Sequence, residues 1–173
     1  LQYRLEPVPG ITKGGDLLVK GPNIMAGYLH AEAPGKVQPP EDGWYDTGDI
    51  VTLDDQGYVF IQGRAKRFAK VAGEMVSLAM VEGEAAKLRP EFRHAVVARP
   101  DPKKGEQLVL VTSNPGASRS DFDAYAKSRG IASIAVPARV LVVKEVPVLG
   151  TGKTDFRGVA ALVEVQEQGE TSR

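Results

Sequence analysis

The sequence predicts an α+β fold in two parts, a β-rich, barrel-like segment followed by a small α+β domain with a central sheet. In the first part, short apolar or alternating runs are bounded by turn residues, as in antiparallel strands. From Ser77 onward the apolar residues recur at helical spacing, and helices then alternate with strands. The change in periodicity therefore divides the chain shortly after Gly63.

Strands are predicted in the first part wherever an apolar run lies between turn residues. They are GDLLVKG, DIVTL and GYVFIQG, at residues 15–21, 49–53 and 57–63. The sequence DDQG between the last two is typical of a turn. Residues 30–43 are polar and include several prolines, so we expect a loop there.

The second part is predicted to alternate helices with strands. Ser77 is a candidate N-cap for the helix LAMVEGEAAKLR, and SDFDAYAKSRG is predicted to be a helix capped by Ser120 and ended by Gly130. The sequences HAVVAR, QLVLVT and ARVLVVKEV are predicted strands. A last helix is expected from Asp155 to Val165, followed by a flexible tail at residues 166–173.

Composition restricts the function classes. The chain has 173 residues, with 22 Lys and Arg against 22 Asp and Glu, so its balanced charge does not favour nucleic acid as a partner. It has no cysteine, which excludes disulfides and thiolate chemistry, and its two histidines, His30 and His94, are too far apart in sequence to suggest a metal site. Charges interrupt every apolar run, so no membrane span is predicted.

The sequence GTGKT at residues 150–154 superficially matches a phosphate-binding P-loop. That motif requires glycine five residues before the second glycine, and Pro147 occupies that position. The alternative is a tight turn on which Gly150 and Gly152 let Lys153 approach an anion bound elsewhere. An ordinary solvent-exposed lysine would produce the same local pattern.

Four motifs in order resemble one enzyme family. They are GDLLVKGPNIMAGY, YDTGDI, GRAKRFAKVAGEMVS and PVLGTGKTDFR, at residues 15–28, 45–50, 63–77 and 147–157. Together they resemble the later motifs of the adenylate-forming superfamily, which includes acyl-CoA synthetases, luciferases and nonribosomal adenylation domains. Their wording is closest to the acyl-[acyl carrier protein] synthetase part of a bifunctional enzyme with 2-acylglycerophosphoethanolamine acyltransferase activity.

The resemblance implies a domain organisation and a reaction. Residues 1–65 would be the end of the large AMP-binding domain, and residues 66–165 the small C-terminal lid domain. ATP with Mg²⁺ would activate a fatty acid as acyl-adenylate, and the pantetheine thiol of acyl carrier protein, or alternatively of CoA, would then displace AMP. The upstream phosphate loop of the family is not in this sequence, so the chain alone is not expected to be active. The resemblance further implies a location on the cytoplasmic side, with the whole protein at the inner membrane.

The resemblance also assigns roles to residues. Asp49 would hold the ribose hydroxyls of ATP, Arg64 would lie near the ribose and phosphates, and Lys66 would be the hinge about which the lid rotates. Lys153 would contact the carboxylate and the α-phosphate during adenylation. The pantetheine tunnel would be lined by Lys70, Val71, Ala72, Gly73 and Glu74.

Other positions carry less specific expectations. Asp46 and Thr47 are expected to form a turn rather than bind a ligand, since both residue types are common in turns. Many members of the family have two arginines and a glutamate where this chain has Ala72, Met75 and Ser77, so charged contacts at those positions do not carry over.

The four cations near the expected hinge have two interpretations. They could attract an acidic carrier protein or the phosphates of CoA, or they could form an ordinary solvated face; they are Arg64, Lys66, Arg67 and Lys70. For the whole chain, a ligase fragment is the main hypothesis. A small P-loop enzyme and a non-catalytic interaction module with the same lid fold are its alternatives.

Overall fold

The computed structural model describes residues 1–171, and its contacts divide the chain into two compact units. The first unit is Leu1–Lys66, and the second begins at Arg67. Each unit is described separately below.

An open antiparallel sheet forms the body of the first unit. Its strands run in the order β1-β2-β5-β6, and the short strands β3 and β4 pair with each other. The sequence predicts a barrel-like segment here, but in the described residues it is an open sheet. Four twisted strands are too few to close into a barrel. The strands are β1 (Gln2–Glu6), β2 (Gly15–Lys20), β3 (Tyr28–Leu29), β4 (Val37–Gln38), β5 (Tyr45–Leu53) and β6 (Val59–Arg64).

The predicted turn DDQG is confirmed, and it joins β5 to β6. The carboxylate of Asp54 accepts hydrogen bonds from the backbone N–H groups of Gln56 and Tyr58, at 3.0 and 2.8 Å. The predicted loop at residues 30–43 is only partly correct, since it contains β4 and a short 3₁₀ turn at Glu41–Gly43. A strand of two residues is too short to produce a periodic pattern, which explains why it was not predicted.

The second unit is a mixed sheet with helices packed against it. Its strands run in the order β11-β10-β7-β8, with β9 on β10, and the pairing is antiparallel except between β10 and β11. The strands are β7 (Phe68–Val71), β8 (Glu74–Ser77), β9 (His94–Asp101), β10 (Gly105–Thr112) and β11 (Arg139–Val142), and the helices are α1 (Leu78–Leu88), α2 (Arg119–Arg129) and α3 (Phe156–Thr171).

The apolar runs of β9 and β10 are buried on both faces of the sheet. Successive residues of β9 alternate between two core clusters, Val96 lying in one and Ala95 and Val97 in the other. The first cluster contains residues of α1 and α2, and the second contains Val159 and Val163 of α3. Because side chains on a strand point to alternate faces, the helices cover both sides of the sheet, which confirms the α+β fold of this part.

The predicted helix boundaries are right at some ends and wrong at others. Ser77 caps α1, its hydroxyl accepting a hydrogen bond from Met80 N at 3.2 Å, and Gly130 ends α2 in the left-handed region at a φ of 67°. The cap of α2 is Ser118 and not the predicted Ser120, because the Ser118 hydroxyl accepts from Asp121 N at 3.2 Å.

The last helix is longer than predicted. Helix α3 extends from Phe156 to Thr171, so residues 166–171 of the predicted flexible tail are helical, and residues 172–173 lie outside the described chain. The apolar face of α3 is buried against the sheet through Val159 and Val163. This packing stabilises the helix, which therefore continues into residues that are polar in sequence. None of the helices described between residues 1 and 171 is both long and apolar enough to cross a membrane.

Candidate active site

The YDTGD motif lies within strand β5, at a bulge in its pairing with β2, and the local turn at this bulge is held together by its own side chains. Thr47 Oγ1 donates to Leu17 O at 2.8 Å and accepts from Asp49 N at 3.2 Å. Asp46 Oδ1 accepts from Gly48 N at 2.6 Å, and Gly48 has a φ of 67°, a conformation that favours glycine. The side chains of Asp46 and Thr47 therefore shape this bulge of the strand, and that neither binds a ligand stays a prediction.

This turn places Asp49 beside Arg64. The two residues are partners in the β5–β6 register, and Arg64 Nε lies 3.1 Å from Asp49 Oδ1. Arg64 also donates from Nη1 to Thr47 O at 2.7 Å, which fixes the guanidinium against the turn. The Asp49 side chain is 21% exposed and that of Arg64 65%, so a carboxylate and a guanidinium are presented together to solvent. Such a pair can bind hydroxyl groups and a phosphate at adjacent points.

Asp16, which is close to this turn, has an unusual environment that the sequence did not reveal. Its Oδ1 atom is buried and has no hydrogen-bond partner among the described residues. Burial raises the pKa of Asp16, and the negative charges of Asp46, Glu6 and Asp49 raise it further. The first unit therefore concentrates negative charge near the Asp49–Arg64 pair.

The segment predicted to line a pantetheine tunnel is a β-hairpin. Strands β7 and β8 pair from Phe68 with Ser77 to Val71 with Glu74, and the two tip residues, Ala72 and Gly73, have positive φ values of 52° and 91°. Positive φ at both central residues is the signature of the type I′ turn. Strands in this segment were not predicted, because the cationic residues hide the short apolar alternation.

The hairpin exposes only some of the predicted residues. The Val71 side chain belongs to the core cluster under α1 and is 4% exposed, so only its backbone is available to a ligand. The other four residues are exposed; they are Lys70, Ala72, Gly73 and Glu74. The tip is held in place by the Ala72 N–H, which donates to Lys104 O in the β9–β10 turn at 2.8 Å.

Lys153 lies on a tight turn that precedes α3. Val148 and Thr154 form an isolated β-bridge, and within it Leu149 N donates to Lys153 O at 2.8 Å. Gly152 has a φ of 79°, and the Lys153 side chain is exposed. A hairpin-like turn of this kind differs from a P-loop, in which one loop leads directly from a buried strand into a helix. The structure thus favours a projecting lysine.

The four cations near the expected hinge differ in whether they are paired. Arg64 is paired with Asp49, and Arg67 forms an ion pair with Glu82 of α1. Lys66 and Lys70 are exposed and form no ion pair with the residues that the structure describes. Lys66, the predicted hinge, lies in a 3₁₀ turn at Ala65–Arg67 and is the last residue of the first unit.

No metal site is present in the described residues. Between residues 1 and 171, no three His, Cys, Asp or Glu side chains lie close enough together to hold a metal ion. Lys153 and the hairpin both belong to the second unit, whereas Asp49 and Arg64 belong to the first.

The chain is similar in sequence to curated ligases. It is 35% identical over 153 residues to a 2,3-dihydroxybenzoate-AMP ligase of Bacillus subtilis, covering 87% of this chain and 28% of that enzyme. It is 36% identical over 152 residues to a feruloyl-CoA synthase of Amycolatopsis, covering 86% of this chain and 30% of that enzyme. No protein-family model matches the chain.

The solved structures that this chain resembles are ligases as well. The structure matches o-succinylbenzoate CoA synthetase of Bacillus subtilis, solved in complex with its acyl-adenylate intermediate, with a TM-score of 0.70 and 26% identity, over 88% of this chain and 32% of that one. The relatives and structural neighbours of this chain are adenylate-forming ligases. The resemblance to that superfamily is confirmed, and the finer resemblance to acyl-carrier-protein synthetases stays a prediction. This chain spans about a third of the length of these ligases.

Proposed function

We propose that this chain is the C-terminal part of an AMP-forming acid–thiol ligase, which uses ATP to join a carboxylic acid to a pantetheine thiol. The observation that carries the proposal is Lys153, an exposed lysine on a tight turn, in a chain whose fold matches that of adenylate-forming ligases. The first unit contributes the Asp49–Arg64 pair, which has the groups needed to bind a nucleotide.

CoA is the acceptor that the relatives favour. Feruloyl-CoA synthase and o-succinylbenzoate CoA synthetase are both named for CoA, whereas the wording of the motifs and one relative, named as a salicyl-S-ArCP synthetase, favour a carrier protein. Both acceptors present the same pantetheine thiol, so the roles proposed below apply to either. For the acid, the relatives' names favour an aryl acid and the motifs favour a fatty acid.

In the first half-reaction, a carboxylate oxygen of the acid attacks the α-phosphorus of ATP, and pyrophosphate leaves. Asp49 accepts hydrogen bonds from the ribose hydroxyls, and Arg64 lies beside it for the phosphates. Lys153 places its ammonium group where negative charge develops between the carboxylate and the α-phosphate. One such preorganised donor contributes about 10²- to 10³-fold to the rate.

In the second half-reaction, the thiol sulfur attacks the carbonyl carbon of the acyl-adenylate, AMP leaves, and the thiol proton is lost to solvent. The second unit turns about Lys66 between the two steps, so that the β7–β8 hairpin replaces Lys153 at the reacting group. The exposed backbone of Ala72 and Gly73 at the hairpin tip, which has no bulky side chain, allows the thiol arm to pass closely.

The test is an assay of each half-reaction on the whole protein that contains this chain. Pyrophosphate exchange measures adenylation with fatty and aryl acids, and thioester yield from supplied acyl-adenylate measures transfer to CoA or to a carrier protein. Lys153→Ala is expected to lower exchange by about 10²- to 10³-fold and to leave transfer intact. Lys144→Ala, which removes another exposed lysine of the same unit, is the matched control and is expected to change neither.

Two results would contradict the proposal. One is the absence of acid-dependent pyrophosphate exchange with every acid tested. The other is equal exchange in Lys153→Ala and Lys144→Ala. A preference for carrier protein over CoA would correct the acceptor without changing the reaction class.

A further inference from the structure

Arg67, the first residue of the second unit, makes contacts that the proposed reaction does not use. Its side chain is only 17% exposed, and its guanidinium group contacts three different elements. It forms an ion pair with Glu82 of α1, donates from Nη1 to Val96 O of β9 at 3.0 Å, and lies 3.6 Å from the ring centroid of Phe156 in α3. A single side chain therefore joins the start of the unit to a helix, a strand and a second helix.

Arg67 and Glu82 together satisfy the backbone N–H and C=O groups of Val96, on the edge strand β9. Glu82 Oε1 accepts from Val96 N at 2.7 Å, while Arg67 donates to Val96 O. Val96 is fully buried, so without these side chains its N–H and C=O groups would be left unpaired away from water. The guanidinium is thus held at a fixed position by the carboxylate and the strand.

The third contact leads to the turn that carries Lys153. Phe156 is the first residue of α3, three residues after Lys153. Between them, Asp155 N donates to Pro147 O at 2.9 Å, and Asp155 Oδ1 accepts from Gly158 N at 3.1 Å, which joins both ends of the turn to the start of the helix. Fixing the Phe156 ring therefore also fixes the base of the turn that carries Lys153.

We propose that Arg67 is a positioning residue for Lys153, acting through the ring of Phe156. The inference rests on the proposed function, since it explains how Lys153 is aimed during adenylation. A cation over an aromatic face is attracted by the ring's negative face, and the attraction is stronger when the cation is shielded from water, as Arg67 is here. Because Arg67 is the first residue of the second unit, its side chain links the start of that unit to the lysine turn.

The decisive variants change the ring and leave Arg67 in place. Phe156→Leu removes the aromatic face but keeps apolar bulk, and Phe156→Trp keeps the face. We expect Phe156→Leu to lower kcat for adenylation in the whole protein by about 10- to 100-fold, because small misplacements of a catalytic group have effects of this size. The KM for ATP and the transfer from supplied acyl-adenylate should be unchanged, and Phe156→Trp should restore kcat.

Phe92→Leu is the matched control, because Phe92 is a partly buried phenylalanine of the same unit with no cation over its ring in the described structure. It should leave kcat for adenylation unchanged. The proposal is overturned if Phe156→Leu leaves kcat unchanged, or if Phe156→Leu and Phe156→Trp lower both half-reactions equally.

A second measurement on the 173-residue chain itself needs no activity. The amide of Gly152, which donates to Leu149 O at 2.8 Å, reports on the tip of the lysine turn, and that of Asp155 reports on its base. Their hydrogen exchange should become faster in Phe156→Leu and in Arg67→Lys, and should stay unchanged in Phe92→Leu. If exchange at the turn is the same in all variants, Arg67 does not position it. If exchange becomes faster in these variants but the whole protein has no ligase activity, the positioning of the turn by Arg67 is supported and the proposed function is rejected.

Discussion

At the scale of single residues, Asp49 can be tested with little disturbance of the fold. In Asp49→Asn, Arg64 loses its carboxylate partner, but the arginine is 65% exposed and remains solvated. We expect the KM for ATP in pyrophosphate exchange to rise by about 10- to 100-fold, because a charge-assisted hydrogen bond contributes about 1.5–3 kcal/mol. The measurement is the ATP dependence of exchange by the whole protein.

The control for this change is Asp55→Asn, which replaces an exposed carboxylate in the turn between β5 and β6. It should leave the ATP dependence unchanged. If Asp49→Asn and Asp55→Asn have the same KM as the unmodified protein, Asp49 does not bind the nucleotide.

Asp16 gives a prediction about pH. Since its pKa is raised in the folded state, the folded chain binds this proton more tightly than the unfolded chain. Its contribution to stability is therefore complete below the ordinary value of 3.8 and is lost as the pH rises through the raised pKa. Asparagine cannot ionise, so Asp16→Asn removes this loss of stability. The variant should therefore raise the melting temperature by a few degrees at pH 7, with a smaller gain at pH 4.

Thermal unfolding followed at several pH values between 4 and 8 would measure this difference. Asp55→Asn again serves as the control, since its carboxylate lies in an exposed turn. A gain from Asp16→Asn that does not depend on pH would mean that packing, and not ionisation of the buried carboxylate, is responsible.

The motif residues of the candidate site were chosen from sequence and their roles stay predictions, whereas the residues that hold them could not be found in this way. Asp49, Arg64 and Lys153 belong to short motifs whose order along the chain is specific. Arg67 looks like one more cation in a charged run, and only its contacts with α1 and β9 show that it is an internal anchor. Such contacts join residues 15 and 29 positions apart, and nothing in the local sequence indicates them.

At the scale of secondary-structure elements, the β7–β8 hairpin contains a position that can be improved. Ala72 has a φ of 52°, which is unfavourable for a residue with a Cβ atom by about 1–2 kcal/mol. Ala72→Gly relieves this strain and keeps the N–H that donates to Lys104 O. We expect the second unit to gain about 0.5–1 kcal/mol in its free energy of unfolding, after the extra chain entropy of glycine is subtracted.

The same substitution in a helix provides the control. Ala79 is exposed in the first turn of α1, where glycine is less favourable than alanine by about 1 kcal/mol. Urea unfolding of the two variants should therefore give shifts of opposite sign. Destabilisation by Ala72→Gly as large as that by Ala79→Gly would show that the left-handed conformation at Ala72 does not persist in solution.

Element boundaries show where local sequence signals are sufficient. The Ser77 cap and the Gly130 stop were predicted because each lies at the end of a clear helical period. For α2, two serines two positions apart satisfy the same pattern, and their hydroxyl oxygens are 2.8 Å apart, so propensity alone cannot choose between Ser118 and Ser120. The end of α3 was missed because packing of its apolar face extends the helix into polar sequence.

At the scale of the whole molecule, the proposed hinge at Lys66 predicts that the two proposed half-reactions can be separated there. Lys66→Pro fixes φ at this position and should hinder the proposed rotation of the second unit. We expect pyrophosphate exchange to persist and thioester yield from supplied acyl-adenylate to fall by at least about 10-fold.

Lys66→Ala is the matched control, since it removes the same side chain without restricting the backbone. It should retain both activities. If Lys66→Pro and Lys66→Ala lose the two activities in equal proportion, Lys66 is not a pivot between two orientations.

The two arginines on either side of Lys66 would set the length of the proposed hinge. Arg64 is fastened to Thr47 and Asp49 within the first unit, and Arg67 is fastened to Glu82 and Val96 within the second. Only Ala65 and Lys66 lie between these anchors, so a rotation there would use about four backbone torsions. If Lys66 is the hinge, inserting a few glycines beside it should lower the effective concentration of Lys153 at the proposed site without altering any proposed catalytic group.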